Sequence, residues 1–355
     1  MVITEQQKKI ITTKEKKVIV LSDPATGKTT VLTERVKYLL KSGVLPEDIA
    51  MITFTNAAAY EMSKRIGKES VNMFIGTVHS LANKFLRGGG YDTREEIENE
   101  NFDELFEIIE NNIGCVKHYK YVLLDEAQDS SEIQFNFILN MIQPENYMFV
   151  GDPKQSIYEF SGGRPDIFIN LSQKYDVTVY KLTQNYRNGY NILNFAKGII
   201  APIMDDDSIS MVEQDGEFYK VDNNIETLIN FIKYSDDEYK DWFFLTRTNA
   251  QLSDVMYFLE KEEIPCDTFK KATLADGELY KKMKENTVKV LTIHTAKGLE
   301  NKNVIVFGAT VYSKDERKVA YVAATRAKEK LYWSKGKKKN KVKDFKNKFG
   351  ILEWE

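Results

Sequence analysis

Tyr121-Val122-Leu123-Leu124-Asp125-Glu126-Ala127-Gln128-Asp129 runs four strand-forming residues straight into two carboxylates. So short an apolar run predicts a buried parallel strand, and acidic side chains at its carboxyl end fall where an open α/β sheet places its ligand crevice. A magnesium nucleotide would sit there, with Asp125 holding Mg²⁺ and Glu126 polarising the water that attacks the γ-phosphate. An Asp-Glu pair after a strand is often no more than a solvated strand end, so the reading depends on what precedes it.

Upstream, Val18-Ile19-Val20-Leu21 leads into Ser22-Asp23-Pro24-Ala25-Thr26-Gly27-Lys28-Thr29-Thr30, and Val31, Leu32, Val36, Leu39 and Leu40 then follow at helical spacing. Strand, small-residue loop, Lys-Thr and helix form the setting of a phosphate-binding loop. Backbone N–H groups from Ser22 to Thr30, with Ala25, Thr26 and Gly27 at the tip, and the helix N-terminus would face the phosphates. Lys28 would reach the β/γ oxygens, and the Thr29 hydroxyl would ligate Mg²⁺. Ser22 stands where the usual pattern has glycine.

The chain has 355 residues, enough for two domains, and a net charge of −3, which argues against general nucleic-acid adhesion. Two cysteines, Cys115 and Cys266, have neither metal nor disulfide spacing, so reduced thiols and a cytoplasmic location are expected. No apolar span of about 18 residues is present, and no membrane role is indicated. Acid gathers in Arg94 to Glu110 and Met204 to Glu217. The end, Lys335-Gly-Lys-Lys-Lys-Asn-Lys-Val-Lys, is basic, and reads either as a solvated tail or as a phosphate contact.

Strands and helices alternate. The first series has strands at Ala50 to Phe54, Asn72 to Ile75, the Asp125 run and Tyr147 to Val150, with helices at Asn56 to Ile66, Thr77 to Leu86 and Ile133 to Ile142 and an acidic helix after Gly88-Gly89-Gly90. A second series begins near Thr183, with helices at Asn191 to Ile200, Asn249 to Lys261 and Lys318 to Ala327. Its strands are Trp242 to Leu245, Val288 to Ile293 and Asn303 to Phe307. Two βα series predict an α/β protein with two doubly wound parallel sheets.

An ordered set of motifs then resembles a UvrD/Rep-type helicase of superfamily 1A. Thr4-Glu5-Gln6-Gln7 is similar to the adenine-reading Q motif, Ser22 to Thr29 to motif I, Thr53-Phe54-Thr55-Asn56 with Ala58, Ala59, Glu61 and Met62 to motif Ia, and Gly76-Thr77-Val78-His79-Ser80 to motif Ib. Asp125 to Asp129 with Gln134 resembles motif II, Val150 to Tyr158 motif III, and Gln184-Asn185-Tyr186-Arg187 motif IV. Thr292 to Glu300 resembles motif V, and Tyr321 to Ala327 motif VI. The match extends over nearly the whole chain.

The resemblance implies two RecA-like lobes with ATP bound between them: an N-terminal ATP-binding lobe over 1–182 with a short accessory remnant near 88–118, a C-terminal lobe over 183–334, and a basic tail at 335–355. Gln6 would bond the adenine edge, Tyr186 would stack on its face, and Glu300, beside Gly298, would accept from the ribose hydroxyl. Gln155 would sense the γ-phosphate, and Arg187 and Arg326 would stabilise the transferring phosphoryl. These arginines could instead be surface ion-pair partners. Arginine is nine of the 50 basic residues, however, so its use at two motif positions favours a planar, multi-donor fork. Phe54, Tyr158 and Phe160 would stack on bases, while Thr55, Asn56, Thr77, His79 and His294 would bond phosphates or couple them to the nucleotide site. His118 lies outside the motifs and is assigned to structure.

Departures from the family pattern also matter. Thr30 replaces a common Arg, Ala57 a frequent Lys, Phe160 the usual Trp and Ser161 an Arg, for which Arg164 could compensate. Only 46 positions separate His79 from Asp125, and 107 separate Arg187 from His294, where relatives insert whole accessory subdomains. The expectation is an ATP- and Mg²⁺-dependent single-strand DNA translocase or helicase of 3′-to-5′ polarity, monomeric, acting on single strands and their junctions with duplex. The rival is an ATPase subunit that remodels a polymerase, nuclease or recombination complex through a protein partner. A nucleotide switch without turnover is disfavoured by the presence of Glu126, Gln155 and both arginines.

Overall fold

The computed structural model describes residues 3–270 and 277–334, so the basic tail expected at 335–355 lies outside the described residues. Among the described residues, chain contacts gather into two units, one that holds 27–182 together with the residues up to Ser22, the other 23–26 together with the residues from Thr183 on.

In the first unit, helix α1 (Glu5–Ile11) precedes strand β1 (Lys17–Ser22), then α2 (Lys28–Lys41), β2 (Ile49–Ile52), α3 (Asn56–Ile66), β3 (Phe74–Gly76) and α4 (Val78–Gly88). Next come α5 (Arg94–Glu98), α6 (Glu104–Asn111), β4 (Tyr121–Leu124), α7 (Glu132–Asn136) with a π-turn extension over Phe137–Ile142, β5 (Asn146–Gly151), α8 (Pro165–Ser172) and β6 (Thr178–Leu182). The strands form one parallel sheet in the order β3-β2-β4-β5-β1-β6.

Alternation along each strand divides the core between the two faces. Ile19, Ala50, Ile52, Val122, Leu124 and Phe149 pack with α4, α6, α7 and α8. Val18, Val20, Ile49, Met51, Leu123, Met148 and Val150 pack with α1, α2 and α3. Apolar side chains on both faces explain why these strands read as continuous hydrophobic runs.

The second unit contains β7 (Gln184–Asn185), α9 (Tyr190–Ile200), β8 (Ile209–Ser210), β9 (Glu217–Val221), α10 (Ile225–Lys233), β10 (Trp242–Thr246) and α11 (Asn249–Lys261). It continues with β11 (Cys266–Asp267), α12 (Glu278–Lys284), β12 (Val288–Thr292), α13 (Ile293–Ala296), β13 (Asn301–Phe307), α14 (Lys314–Ala324) and β14 (Ala327–Ser334). Its sheet is also parallel, in the order β11-β12-β10-β13-β14-β9, while β7 and β8 pair separately. Trp242, Phe244, Val288, Val290 and Ile305 face α10 and α11.

Several elements differ from the sequence reading. The acidic helix after Gly90 is two helices, α5 and α6, because Glu100 adopts a left-handed φ of +56° and the Asn101 amide closes back onto the Glu96 carbonyl. The helix expected at Lys318 to Ala327 is α14, four residues earlier. Ser313 and Glu316 form a capping box at its start, and Ala327 already begins β14. Strand β6, not anticipated, is a sheet-edge strand whose exposed Val179 and Lys181 hide the usual apolar pattern.

Candidate nucleotide and nucleic-acid site

Strand β1 delivers the loop Ser22 to Gly27 to the first turn of α2. Ala25 (φ +57°) and Gly27 (φ +83°) take left-handed conformations, and Gly27 is the N-cap of α2 with no side chain capping it. A glycine has no side chain with which to cap the first-turn N–H groups, and such helix starts are where anions bind. Ser22, 3 % exposed, donates through Oγ to the Gly151 carbonyl at 3.1 Å, joining β1 to the end of β5. The Thr26 hydroxyl closes the loop onto the Asp23 carbonyl at 2.9 Å, and Thr30 is buried.

Gln7, the neighbour of Gln6, meets this loop. A Cβ on Gly27 would approach the amide end of Gln7 to 2.7 Å, a contact that the flexible side chain can yield, so it is the left-handed φ that favours glycine there. Gln7 is buried, forming a capping box with Thr4, whereas Gln6 is half-buried. The Thr-x-x-Gln spacing of that box was the available sequence signal.

At the end of β4, Asp125 is 5 % exposed and its Oδ1 accepts the Glu126 amide at 3.0 Å. Glu126 has φ +51° and ψ +41°, a strained setting for a side-chain-bearing residue and one found at functional turns. Asp152, fully buried after β5, accepts from Gln155 Nε2 at 2.7 Å.

In the second unit, Arg187 ion-pairs with Glu300 and donates through Nη1 to the Thr325 carbonyl at 3.0 Å. Arg187 and Glu300, given separate ligand roles in the sequence reading, thus hold each other. Lys328 Nζ lies 2.9 Å from the same carboxylate. Burial pushes Glu300 upward, but the charge of Arg187 and the hydrogen bond and charge of Lys328 overcome it and hold the group at about 2. Since its folded pKa lies below the ordinary value, Glu300 contributes stability that is full above about pH 4.5 and lost as pH falls toward 2. We expect wild type to melt above Glu300→Gln at pH 6 and the gap to narrow steadily toward pH 3; a constant gap would contradict the assignment.

Arg326 is 2 % exposed. Its Nε donates to Val322 O at 2.9 Å, Nη1 to Leu299 O at 3.1 Å and Nη2 to Thr325 Oγ1 at 3.1 Å. Gly298 has φ +78°, and Tyr186 is 41 % exposed with its hydroxyl on Gln184.

Among the proposed nucleic-acid residues, three aromatics cluster at the carboxyl ends of β2 and β5. Phe54 stacks on Tyr158 at 4.9 Å, and Tyr158 lies 6.2 Å from Phe160, which is 78 % exposed. The Thr55 and Thr77 hydroxyls cap α3 and α4, with exposed Asn56 opening α3. His79 is half-buried between Phe102 and Phe106, with Nε2 3.3 Å from Gln134 Nε2, and burial lowers its pKa. His294 lies on α13, just past β12. Arg164 ion-pairs with Asp166 at 2.8 Å and Glu132 at 2.7 Å on the exposed surface. His118 Nδ1 bonds the Ile142 carbonyl at 2.7 Å. The sequence reading passed over Arg247, at the carboxyl end of β10 with its amide on Gln251 Oε1; the scarcity of arginine was its signal.

Among the described residues, no group of three or more His, Cys, Asp or Glu side chains could hold a metal ion, and no helix is long and apolar enough to cross a membrane.

Two parallel α/β units, with a strand–loop–helix phosphate cradle and a paired carboxylate at a strand end, define a RecA-like nucleotide-hydrolysing protein. The UvrD/REP helicase N-terminal domain matches residues 3–113 and 112–176, and the UvrD-like helicase C-terminal domain matches residues 267–338. The chain therefore belongs to the UvrD/Rep helicase family, whose members are ATP-hydrolysing DNA helicases. It is 25 % identical to a "Probable DNA helicase" of Mycoplasma pneumoniae, over 93 % of this chain and 82 % of that protein. It is 23 % identical to the ATP-dependent DNA helicase Rep of Escherichia coli, over 70 % of this chain and 52 % of Rep. The Gabija protein GajB of Bacillus cereus is 27 % identical over 58 % of this chain and 49 % of its own length. The match thus spans about half of Rep and of GajB.

Proposed function

We propose that this chain is an ATP-driven single-strand DNA translocase and helicase moving 3′ to 5′ in the cytoplasm as a monomer. The observation that carries the DNA side of this reading is the aromatic cluster in which exposed Phe54 and Phe160 flank half-buried Tyr158, set at the same carboxyl edge of the sheet as Asp125. Stacking tolerates any base, which suits a tracking protein. Residues 1–182 act as the ATP-binding lobe, with a reduced accessory segment near 88–118. Residues 183–334 form the second lobe, and 335–355 a basic tail.

ATP is held by the loop Ser22 to Thr30, by Lys28, by Gln6 at the adenine edge and by Tyr186, with Gln7 beside the loop. Glu126 polarises water, Gln155 senses the γ-phosphate, and Arg187 and Arg326 stabilise the transferring charge. A Mg²⁺ ion fits the hydroxyl of Thr29 and the carboxylate of Asp125, because this cation takes few protein ligands and completes its shell with phosphate and water. Thr55, Asn56, Thr77 and His294 line the strand path, and His79 couples it to Gln134.

The test is ATP hydrolysis with and without single-stranded DNA, run beside strand displacement on 3′- and 5′-tailed duplexes. Expected are stimulation by single strands, activity on the 3′ tail only, and poor opening of long duplexes. No stimulation, or preference for the 5′ tail, would overturn the reading. Phe160→Ala should weaken single-strand binding roughly 5- to 150-fold, as expected for loss of one stacking platform. Unchanged affinity would remove Phe160 from the path.

One observation favours the rival reading, an ATPase subunit in a larger complex. Helix α5 buries no residue and exposes Ile97 among acidic side chains, a surface suited to a protein partner. Stimulation by such a partner and not by single strands would decide for it.

A further inference from the structure

Gln128 is fully buried two residues past Glu126, and none of the roles above uses it. Its side chain joins the ends of β4 and β5. Oε1 accepts the Asp152 amide at 3.0 Å, while Nε2 donates to Glu126 Oε2 at 2.6 Å and to Asp129 Oδ2 at 3.1 Å. A backbone N–H can only donate, so the Gln128 oxygen must face Asp152, which turns the NH₂ group toward the two carboxylates. Gly151 permits the approach: a Cβ there would lie 2.6 Å from Gln128 Oε1. Because Asp152 also accepts from Gln155 Nε2, hydrogen bonds run continuously from Glu126 through Gln128 and Asp152 to Gln155.

We propose that Gln128 is a positioning residue that orients the Glu126 carboxylate and ties it to the Asp152–Gln155 turn, so that the water-polarising group and the γ-phosphate sensor keep one geometry. This rests on the proposed ATPase. A neutral amide suits the place, since it supplies one acceptor and two donors without adding charge. Glutamate would set a third carboxylate beside Glu126 and Asp129, and an apolar side chain would leave the Asp152 amide unsatisfied.

The test replaces Gln128 with methionine, of similar length and without donors, in the full chain. Expected is a fall in kcat for DNA-stimulated ATP hydrolysis of at least about tenfold, with KM for ATP within about twofold of wild type. In a Glu126→Gln background the same change should alter the residual single-turnover rate by less than about twofold, because no carboxylate remains to be oriented. Equal fold losses in both backgrounds, or a kcat within twofold of wild type, would overturn the proposal. Should Gln128→Met fail to fold, Gln128→Glu keeps an acceptor for Asp152 and is judged by the same two criteria. A wild-type chain without ATP hydrolysis overturns the parent reading and this one together; a competent wild type indifferent to both substitutions overturns only this one.

Discussion

Lys28→Ala is expected to abolish ATP hydrolysis by abolishing ATP binding, whereas Glu126→Gln binds ATP normally and fails to turn it over. The two residues sit on different elements. Lys28 is the first residue of α2, directly after a left-handed glycine N-cap, so under the proposed role its ammonium would add to the positive end of the helix that faces the phosphates. Glu126 follows β4 in a left-handed backbone conformation and accepts from Gln128; in the proposed role it would act on the attacking water and not on the nucleotide's ground-state charge. General-base catalysis contributes about 10²- to 10⁴-fold, so Glu126→Gln should lose that much in kcat. Titration with a fluorescent ATP analogue checks the division: equal loss of affinity in both variants would refute it.

Arg326→Lys is expected to lose most of kcat although the charge is retained, by about 10³-fold or more if this arginine stabilises the transferring phosphoryl. Three different nitrogens of the guanidinium donate to Val322, Leu299 and Thr325 in a 2 % exposed position. A lysine ammonium is a point charge that cannot span those directions, so it would lose both the aim of the group and its anchoring. Steady-state kinetics beside thermal melting separates the two losses. Near-wild-type kcat in a folded Arg326→Lys would remove Arg326 from catalysis.

The parallel α/β architecture was legible because its strands are buried on both faces and therefore appear as apolar runs that stop at charged or small residues. Val18 to Leu21 and Tyr121 to Leu124 are such runs, and both carry site residues at their carboxyl ends. Edge elements were not legible in this way. β6 and β9 face solvent on one side, and their mixed composition hides the period. The break between α5 and α6 depends on one left-handed Glu100, for which composition offers no sign.

For the candidate site, the motifs determined residue types and order, since phosphate, magnesium and adenine each demand particular chemistry at particular spacings. Partnerships were decided only by tertiary structure. Nothing in linear spacing pairs Arg187 with Glu300, 113 positions apart, or sets Gln7 against Gly27. Likewise Gln128 becomes a joint only because parallel pairing of β4 with β5 brings their two exits side by side. A side chain's neighbours across a sheet are set by strand order and register, which are properties of the packed core and not of any one segment.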